Sequence, residues 1–360
     1  MTVQQGHPEV SALAPDAAGL RAAVATAVRA PSVHNTQPWL FTVGAGALDV
    51  HADRSRQLGV LDPHGRALAV SCGAAVAGAR LALHAQGWET AVDRCPTDDP
   101  DHLARVRVTG PRTPTRDDGA LLRAAHRRQS TRGPLHGDRV LAPHVADLLA
   151  EVPGVAGGGG AAAVALGPAH GDPALRRDVL VLQARADAAL EADPAYREEL
   201  ARWVRTRDAD DGVAPGAGAT PGPPRRPSDW AQRRFADGPT TGPPSSGGHD
   251  DPVVLVLSAP DDAAGWLAAG EALGRVLVRA ESLGLAAVAM TQVVEVPAER
   301  ERLRRLLGLA GQPQVLVRVG HPVRPGIARP TPRRPLDEVL RPAGAHGETA
   351  PRTPADGPPR

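Results

Sequence analysis

Apolar residues recur at helical spacing in several stretches of this chain. Over 16–29, Leu20, Val24 and Val28 repeat every fourth position among alanines, the pattern of an amphipathic helix. Pro31 stops it, because proline lacks an amide hydrogen and pushes the preceding residue toward extended backbone. A segment with strand character follows from Trp39, then a short strand over 48–51 and a turn at 62–65. The most regular helix of the first part is expected over 71–86, with Ser71 as its N-cap and Gly87 closing it. Residues 104–108 alternate as a strand does. Residues 111–119 read as a linker, 121–128 and 140–149 as helices, and 161–166 as an apolar strand behind the glycine run 157–160. Helices are expected over 175–190, 196–204, 267–282 and 298–307, and strands over 252–258, 285–290 and 314–319.

One internal echo links distant parts. Gly73, Ala75 and Gly87 line up with Gly270, Ala272 and Gly284 at a constant offset, each set within a small-residue helix that leads into an extended run. Such helices allow close backbone approach in a core. Hairpin-length strands lie among helices and no strand leads into a GxGxxG loop, so the order fits an α+β sandwich better than a doubly wound dinucleotide fold.

Composition narrows the chemistry. All 41 basic residues are arginine, which excludes Schiff-base chemistry and a lysine phosphate clamp, and 40 acidic residues leave a formal charge of +1. That balance gives no broad attraction to nucleic acid. Cys72 and Cys95 stand apart, with no CxxC or Cys/His cluster, against a disulfide framework or a cysteine zinc site. The N-terminal stretch lacks a signal-peptide pattern and no 18-residue apolar segment is read along the chain, so the expectation is a cytoplasmic protein without a membrane partner.

Two polar stretches carry the candidate chemistry. In 31–39, Ser32, Asn35 and Gln37 present hydroxyl and amide groups while Trp39 and Phe41 anchor the loop; such residues also cap turns on their own. His34 reads as a turn or supporting residue. In 127–132, Arg128, Ser130 and Arg132 gather guanidiniums and a hydroxyl at a helix end, a set that binds phosphate oxygens or forms a solvated basic run.

The first stretch resembles the proline-serine, asparagine, glutamine-proline-tryptophan signature of the nitroreductase superfamily, and the chain resembles its mycobacterial Acg-like branch. The resemblance implies a nitroreductase-like α+β fold of two pseudo-symmetric halves, antiparallel sheets flanked by helices, and FMN as cofactor. Pro31, Ser32, Val33, Asn35 and Gln37 match the loop over the flavin, and Arg128, Ser130 and Arg132 match the family's opening arginine-serine-basic element. Arg333, with Arg334 as its neighbouring fallback, matches the closing phosphate contact. The family's further lysine falls on Thr331, for which Arg329 is a substitute. Thr291 and Gln292 match the stretch beside flavin N5, without its usual acidic-glycine pair. No side chain is implied as nucleophile or general base.

The implied activity is an FMN-dependent NAD(P)H oxidoreductase, using NADH or NADPH to reduce a nitroaromatic or quinone-like small molecule. The alternative is a protein that stores or sequesters FMN. The implied layout is a lead over 1–17, a first half over 18–110, a second over 111–340 and a tail over 341–360. Within the second half, 208–250 is read as a partly ordered lid anchored by Trp230 and Phe235. Each motif occurs once, so one composite site is expected within a monomer that forms its own pseudo-dimer. The fragment Pro227-Ser228-Asp229-Trp230 is assigned to the lid.

Overall fold

The computed structural model describes residues 14–44, 46–152, 160–167, 172–204, 209–213, 251–322 and 331–341. The expectations for residues 1–13, 157–159, 214–250 (with Trp230 and Phe235), Arg329 and 342–360 lie outside the described residues. The first half contains α1 (Ala17–Ala27), β1 (Trp39–Gly44), β2 (Ala47–Ala52), α2 (Arg66–Ala85), β3 (Trp88–Arg94) and β4 (His102–Pro111). The second contains α3 (Arg116–Arg127), β5 (Leu135–His136), α4 (Ala142–Ala150), β6 (Ala162–Leu166), α5 (Pro173–Ala192), α6 (Pro194–Arg202) and β7 (Val253–Ala259). It continues through α7 (Ala263–Ser282), β8 (Ala286–Met290), α8 (Gln292–Glu295), α9 (Pro297–Leu306) and β9 (Gln312–Pro322), before α10 (Leu336–Val339) and β10 (Leu340–Arg341).

The two sheets share one plan. The first contains the order β1-β2-β4-β3 and the second β6-β7-β9-β8, antiparallel at every step. Short strands extend each: β5 adds to β9, and β10 runs parallel to β1, pairing Phe41 with Leu340. The C-terminal strand thus leaves the second half and closes the edge of the first sheet.

Helices α2 and α7 occupy matching places. Each has 20 residues and each is followed by a left-handed glycine, Gly87 at φ 91° and Gly284 at φ 73°. They cross where their backbones touch. A Cβ on Gly73 would lie 2.2 Å from the Leu267 carbonyl oxygen, and one on Gly270 would lie 2.1 Å from that of Val70. The echoed glycines therefore meet each other. Around the crossing, α1 and the first sheet bury Trp39, Phe41 and Leu83, while α7 and the second sheet bury Leu255, Val276 and Val317. The second sheet's other face packs Val254, Val256 and Leu316 against Val179 and Leu303.

The structure moves several expected boundaries. Helix α2 starts at Arg66 rather than near Ser71, because the Asp62 carboxylate accepts from the Ala67 and Leu68 amides at 3.0 and 2.8 Å. Ser71 lies inside the helix and its hydroxyl donates to the Ala67 carbonyl. The last four residues of the expected 111–119 linker are helical, since Thr115 and Asp118 cap α3 reciprocally. Strands β3 and β10 and helices α8 and α10 were not expected. The reading of no long apolar segment is also corrected: α2 is long and apolar enough to cross a membrane, and the fold buries most of it.

The crossing gives a direct test. Gly270→Ala must drive the helices apart and is expected to lower unfolding stability by roughly 3 kcal/mol. Gly308→Ala, at φ 60° with open space around it, is expected to cost only about 1 kcal/mol. Urea titration of both variants against wild type measures the difference.

Candidate functional site

The polar loop after α1 holds unusual backbone. His34, Asn35 and Gln37 have φ of 51°, 55° and 50°, each in the left-handed region that side chains disfavour. The hydroxyl of Ser32 accepts from the Gln37 amide at 2.9 Å, and the Asn35 amide donates to the Ser32 carbonyl at 3.0 Å. Fully buried Trp39 and Phe41 fix the exit into β1.

Contacts from distant segments hold this strained loop. The Asn35 amide group donates to the Pro332 carbonyl at 3.2 Å and accepts from Arg333 at 3.2 Å. Gln37 donates to the Asp210 carbonyl at 2.7 Å and accepts from the Arg334 amide at 2.9 Å. Gly212 donates to the Asn35 carbonyl at 3.2 Å, and Arg56 grips Asp211 through both terminal nitrogens at 2.8 and 2.7 Å. Residues 209–213, the described part of the expected lid, are therefore fastened to the loop.

A cavity of about 110 Å³ lies between this loop, α2, α7 and the second sheet. Seven of the expected residues line it: Pro31, Ser32 and Val33 from the first half, and Ser130, Arg132, Thr291 and Gln292 from the second. The Ser130 segment is seated by the Thr131 amide, which donates to the Ala287 carbonyl at 3.2 Å, while Thr291 and Gln292 follow directly from β8. Gln292 is buried and donates to Asp187 at 3.4 Å.

The other five expected residues stand behind that lining. Asn35 and Gln37 turn toward the C-terminal segment, as described. Arg333 donates to the carbonyls of Val28, Arg29 and Ala30 at 2.7, 3.1 and 3.2 Å, and Arg128 donates to that of Arg29 at 3.0 Å. Both therefore hold the turn that follows α1. Arg334 bonds the Gln37 carbonyl and pairs with Asp53, each at 3.3 Å. Thr331, where the family lysine was expected, donates its amide to Gln129 at 3.2 Å.

Arginine charge dominates the site. Burial, then the neighbouring Arg29, pushes Arg128 down to about 10; burial, then Arg128 and Arg29, pushes Arg333 down to about 9. Both shifts record cations that are short of water and of negative neighbours. Arg66, Arg132 and Arg318 line the cavity, and no carboxylate does so among the described residues. Arg66 donates to the carbonyls of Gln314 and Val294 at 2.8 and 3.3 Å, and Arg318 is fully buried.

Arg66 and Arg318 were missed from sequence. Arg66 had one signal: a cation in the first turn of a helix opposes the macrodipole, so its placement needs another cause. Arg318 sits within the apolar run Val315–Val319 of β9, where a single charge shows nothing of which face it serves.

The set fits a flat phosphorylated ligand by its chemistry: guanidiniums and the Ser130 hydroxyl for phosphate oxygens, with Val33, Val70 and Leu273 as apolar faces. Its enclosed volume is smaller than most cofactor sites, so the fit rests on donors and faces rather than room. The corresponding place in the first half differs. The offset that aligns α2 with α7 sets Arg94 and Cys95 against Thr291 and Gln292, and Arg94 there pairs at 2.7 Å with Glu271, only 1% exposed.

The nitroreductase family model matches residues 127–321, more than half of the chain. A Mycobacterium tuberculosis H37Rv protein provisionally named an NAD(P)H nitroreductase is 35% identical over 339 residues, 91% of this chain and 92% of its own. A second protein of that strain, provisionally named NAD(P)H nitroreductase Acg, is 30% identical over 340 residues, 89% of this chain and 95% of its own. Among solved structures, a nitroreductase with bound FMN from Desulfitobacterium hafniense DCB-2 aligns with a TM-score of 0.37 at 12% identity, over 60% of this chain and 94% of that one. That last likeness is too slight to support an argument about the site.

Because Arg333 ties the end of α1 to the C-terminal segment, Arg333→Ala leaves the Val28 and Ala30 carbonyls short of a donor, while that of Arg29 keeps Arg128. Stability is expected to fall by roughly 3 kcal/mol, read as a lower urea midpoint with an unchanged slope.

Proposed function

The chain belongs to the nitroreductase family, and from that premise we propose that it is an FMN-dependent NAD(P)H oxidoreductase acting on a nitroaromatic or quinone-like small molecule. The observation that supports this reading is the gathering of Pro31, Ser32, Val33, Ser130, Arg132, Thr291 and Gln292 around one cavity, from three stretches far apart in sequence. FMN, when bound, supplies the hydride chemistry, and the protein supplies grip, orientation and shelter.

In this reading the residues divide by task. Ser130 and Arg132 hold the phosphate end, while Pro31, Ser32 and Val33 cover one ring face from the other half. Thr291 and Gln292 border the reactive edge with polar groups in place of an acidic-glycine pair. Asn35, Gln37, Arg128, Arg333 and Arg334 keep the covering loop at its strained backbone angles. The three lining guanidiniums favour a ligand that gains negative charge on reduction.

We draw the two halves at 18–110 and 111–340 and read them as a fused duplication in which one site survives. The Arg94–Glu271 pair supports this, because an arginine paired with a buried carboxylate stands at the position that aligns with the ring edge of the other half. A monomer with its own pseudo-dimer interface then suffices to build the site. The fastening of 209–213 onto the loop favours a second reading, FMN storage with little turnover.

An anaerobic absorbance spectrum separates these readings. The purified protein is expected to be yellow with about one FMN per chain and to bleach on addition of NADH or NADPH. Bound FMN that neither nicotinamide reduces would establish storage instead, and a protein that takes up no FMN would end both. Arg132→Ala and Ser130→Ala are each expected to weaken FMN binding about tenfold in a fluorescence titration.

A further inference from the structure

A second cavity, of about 260 Å³, lies among α1, α2, α3 and α7. Arginines line it too, and carboxylates face them: Arg279 is shared between Asp117 and Glu151 at 2.8 Å, while Arg80 and Arg275 lie 3.6 and 3.9 Å from Glu271. Arg66 of the first cavity has no such counterpart. It is 8% exposed and makes no ion pair among the described residues. Asp62, one turn earlier, spends both carboxylate oxygens on the Ala67 and Leu68 amides, and Glu295 and Asp261 act on Arg66 only from beyond ion-pair distance. Its place in the first turn of α2 adds to the cost, because the helix dipole there repels a cation. Burial, then Arg300, pushes the Arg66 guanidinium below its ordinary pKa.

Hydrogen bonds fix where this cation stands. Its Nη1 and Nη2 donate to the carbonyls of Gln314 and Val294 at 2.8 and 3.3 Å, and the Val294 amide donates to the Thr291 carbonyl at 2.9 Å. One residue therefore links Arg66 to the Thr291–Gln292 stretch, and its Nε makes no hydrogen bond among the described residues. The Ser130 segment sits at the other end of β8, where Ser130 bridges to Ala287 and the Thr131 amide bonds the Ala287 carbonyl. From Ala287 to Thr291 an extended chain runs roughly 13 Å. A phosphate held by Ser130 and Arg132 thus leaves Arg66, at the far end, to a different group.

Resting on the flavin reading above, we propose that Arg66 is a specificity-determining residue whose guanidinium receives a carboxylate of the electron acceptor, so that the preferred acceptor is an anionic aromatic compound. The carboxylate gives Arg66 the counterion that its own chain withholds, through a charge-assisted hydrogen bond in a site short of water. Among the described residues no carboxylate lines this cavity to repel such a group, and Val33, Val70 and Leu273 offer apolar surface to its ring. An uncharged acceptor of the same shape leaves the cation unpaired, and that difference is the basis of selection.

Titration calorimetry of the full chain, saturated with FMN, tests this with 4-nitrobenzoate and 4-nitrobenzamide, which differ in charge and hardly in shape. Wild type is expected to bind the carboxylate at least about tenfold more tightly. Arg66→Gln is expected to keep its FMN and to bind the two probes alike, whereas Arg66→Lys, which keeps the charge, retains part of the preference. The proposal is overturned if wild type binds neither probe or binds both equally, a result that needs no variant. It is equally overturned if Arg66→Gln keeps the full preference, which would move the carboxylate to another cation, or if the folded variants lose FMN, which would give Arg66 to the cofactor. Should Arg66→Gln not fold, Arg66→Lys decides, by narrowing the preference or leaving it intact. A yellow protein without the preference ends this proposal and leaves the flavin reading standing; a protein that takes up no FMN ends both.

Discussion

Everything in this fold turns on a contact without side chains: the backbones of α2 and α7 touching at Gly73 and Gly270. Two helices ordinarily stand 8–10 Å apart because their side chains hold them there. Glycine at both crossing points removes that spacer, so carbonyl oxygens lie where a methyl group would go. Ala74 and Ala77 of α2, facing Gly274 of α7, extend the same close approach along the crossing. In a chain with only 2% aromatic residues, tight backbone packing replaces the area that large rings would bury.

That crossing fixes how the halves face each other, and the first cavity is a consequence. Ala67, Val70 and Ser71 of α2 and Leu273 of α7 form part of its wall, next to the loop of one half and the β8 end of the other. Near it, the chain adds polar ties instead of apolar bulk. Arg333, Arg334 and Gln37 bind the C-terminal segment to the loop after α1, while β10 pairs with β1 on the first sheet. A loop with three left-handed non-glycine residues needs such ties, since each costs of order 1–3 kcal/mol that the surroundings must offset.

The pseudo-symmetry is broken by charge. The halves keep one sheet plan and one helix crossing, yet Arg94 of the first, at the position aligned with Thr291, pairs with Glu271 of α7, while Thr291 and Gln292 line a cavity. Burying the Glu271 carboxylate takes one charge out of water, and Arg94, with Arg80 and Arg275 farther off at 3.6 and 3.9 Å, surrounds it with positive charge.

Much of this was legible along the chain. The 3.6-residue periodicity marked α1, α5 and α7; the Gly73–Gly270 echo marked the crossing helices; and the 31–39 and 128–132 motifs marked the stretches that meet around a cavity. These are local signals, carried by spacing and by residues whose chemistry is the same in any context. Helix starts at Arg66 and Arg116 escaped because their caps, Asp62 and Thr115, act through hydrogen bonds that spacing does not display. Only the tertiary structure decided that Arg333 and Arg128 hold the carbonyls just after α1, that Arg66 and Arg318 line the cavity, and that β10 returns to the first sheet. An arginine's partner is chosen by whatever the folded chain brings within about 3 Å of it, and that distance has no representation in the order of residues.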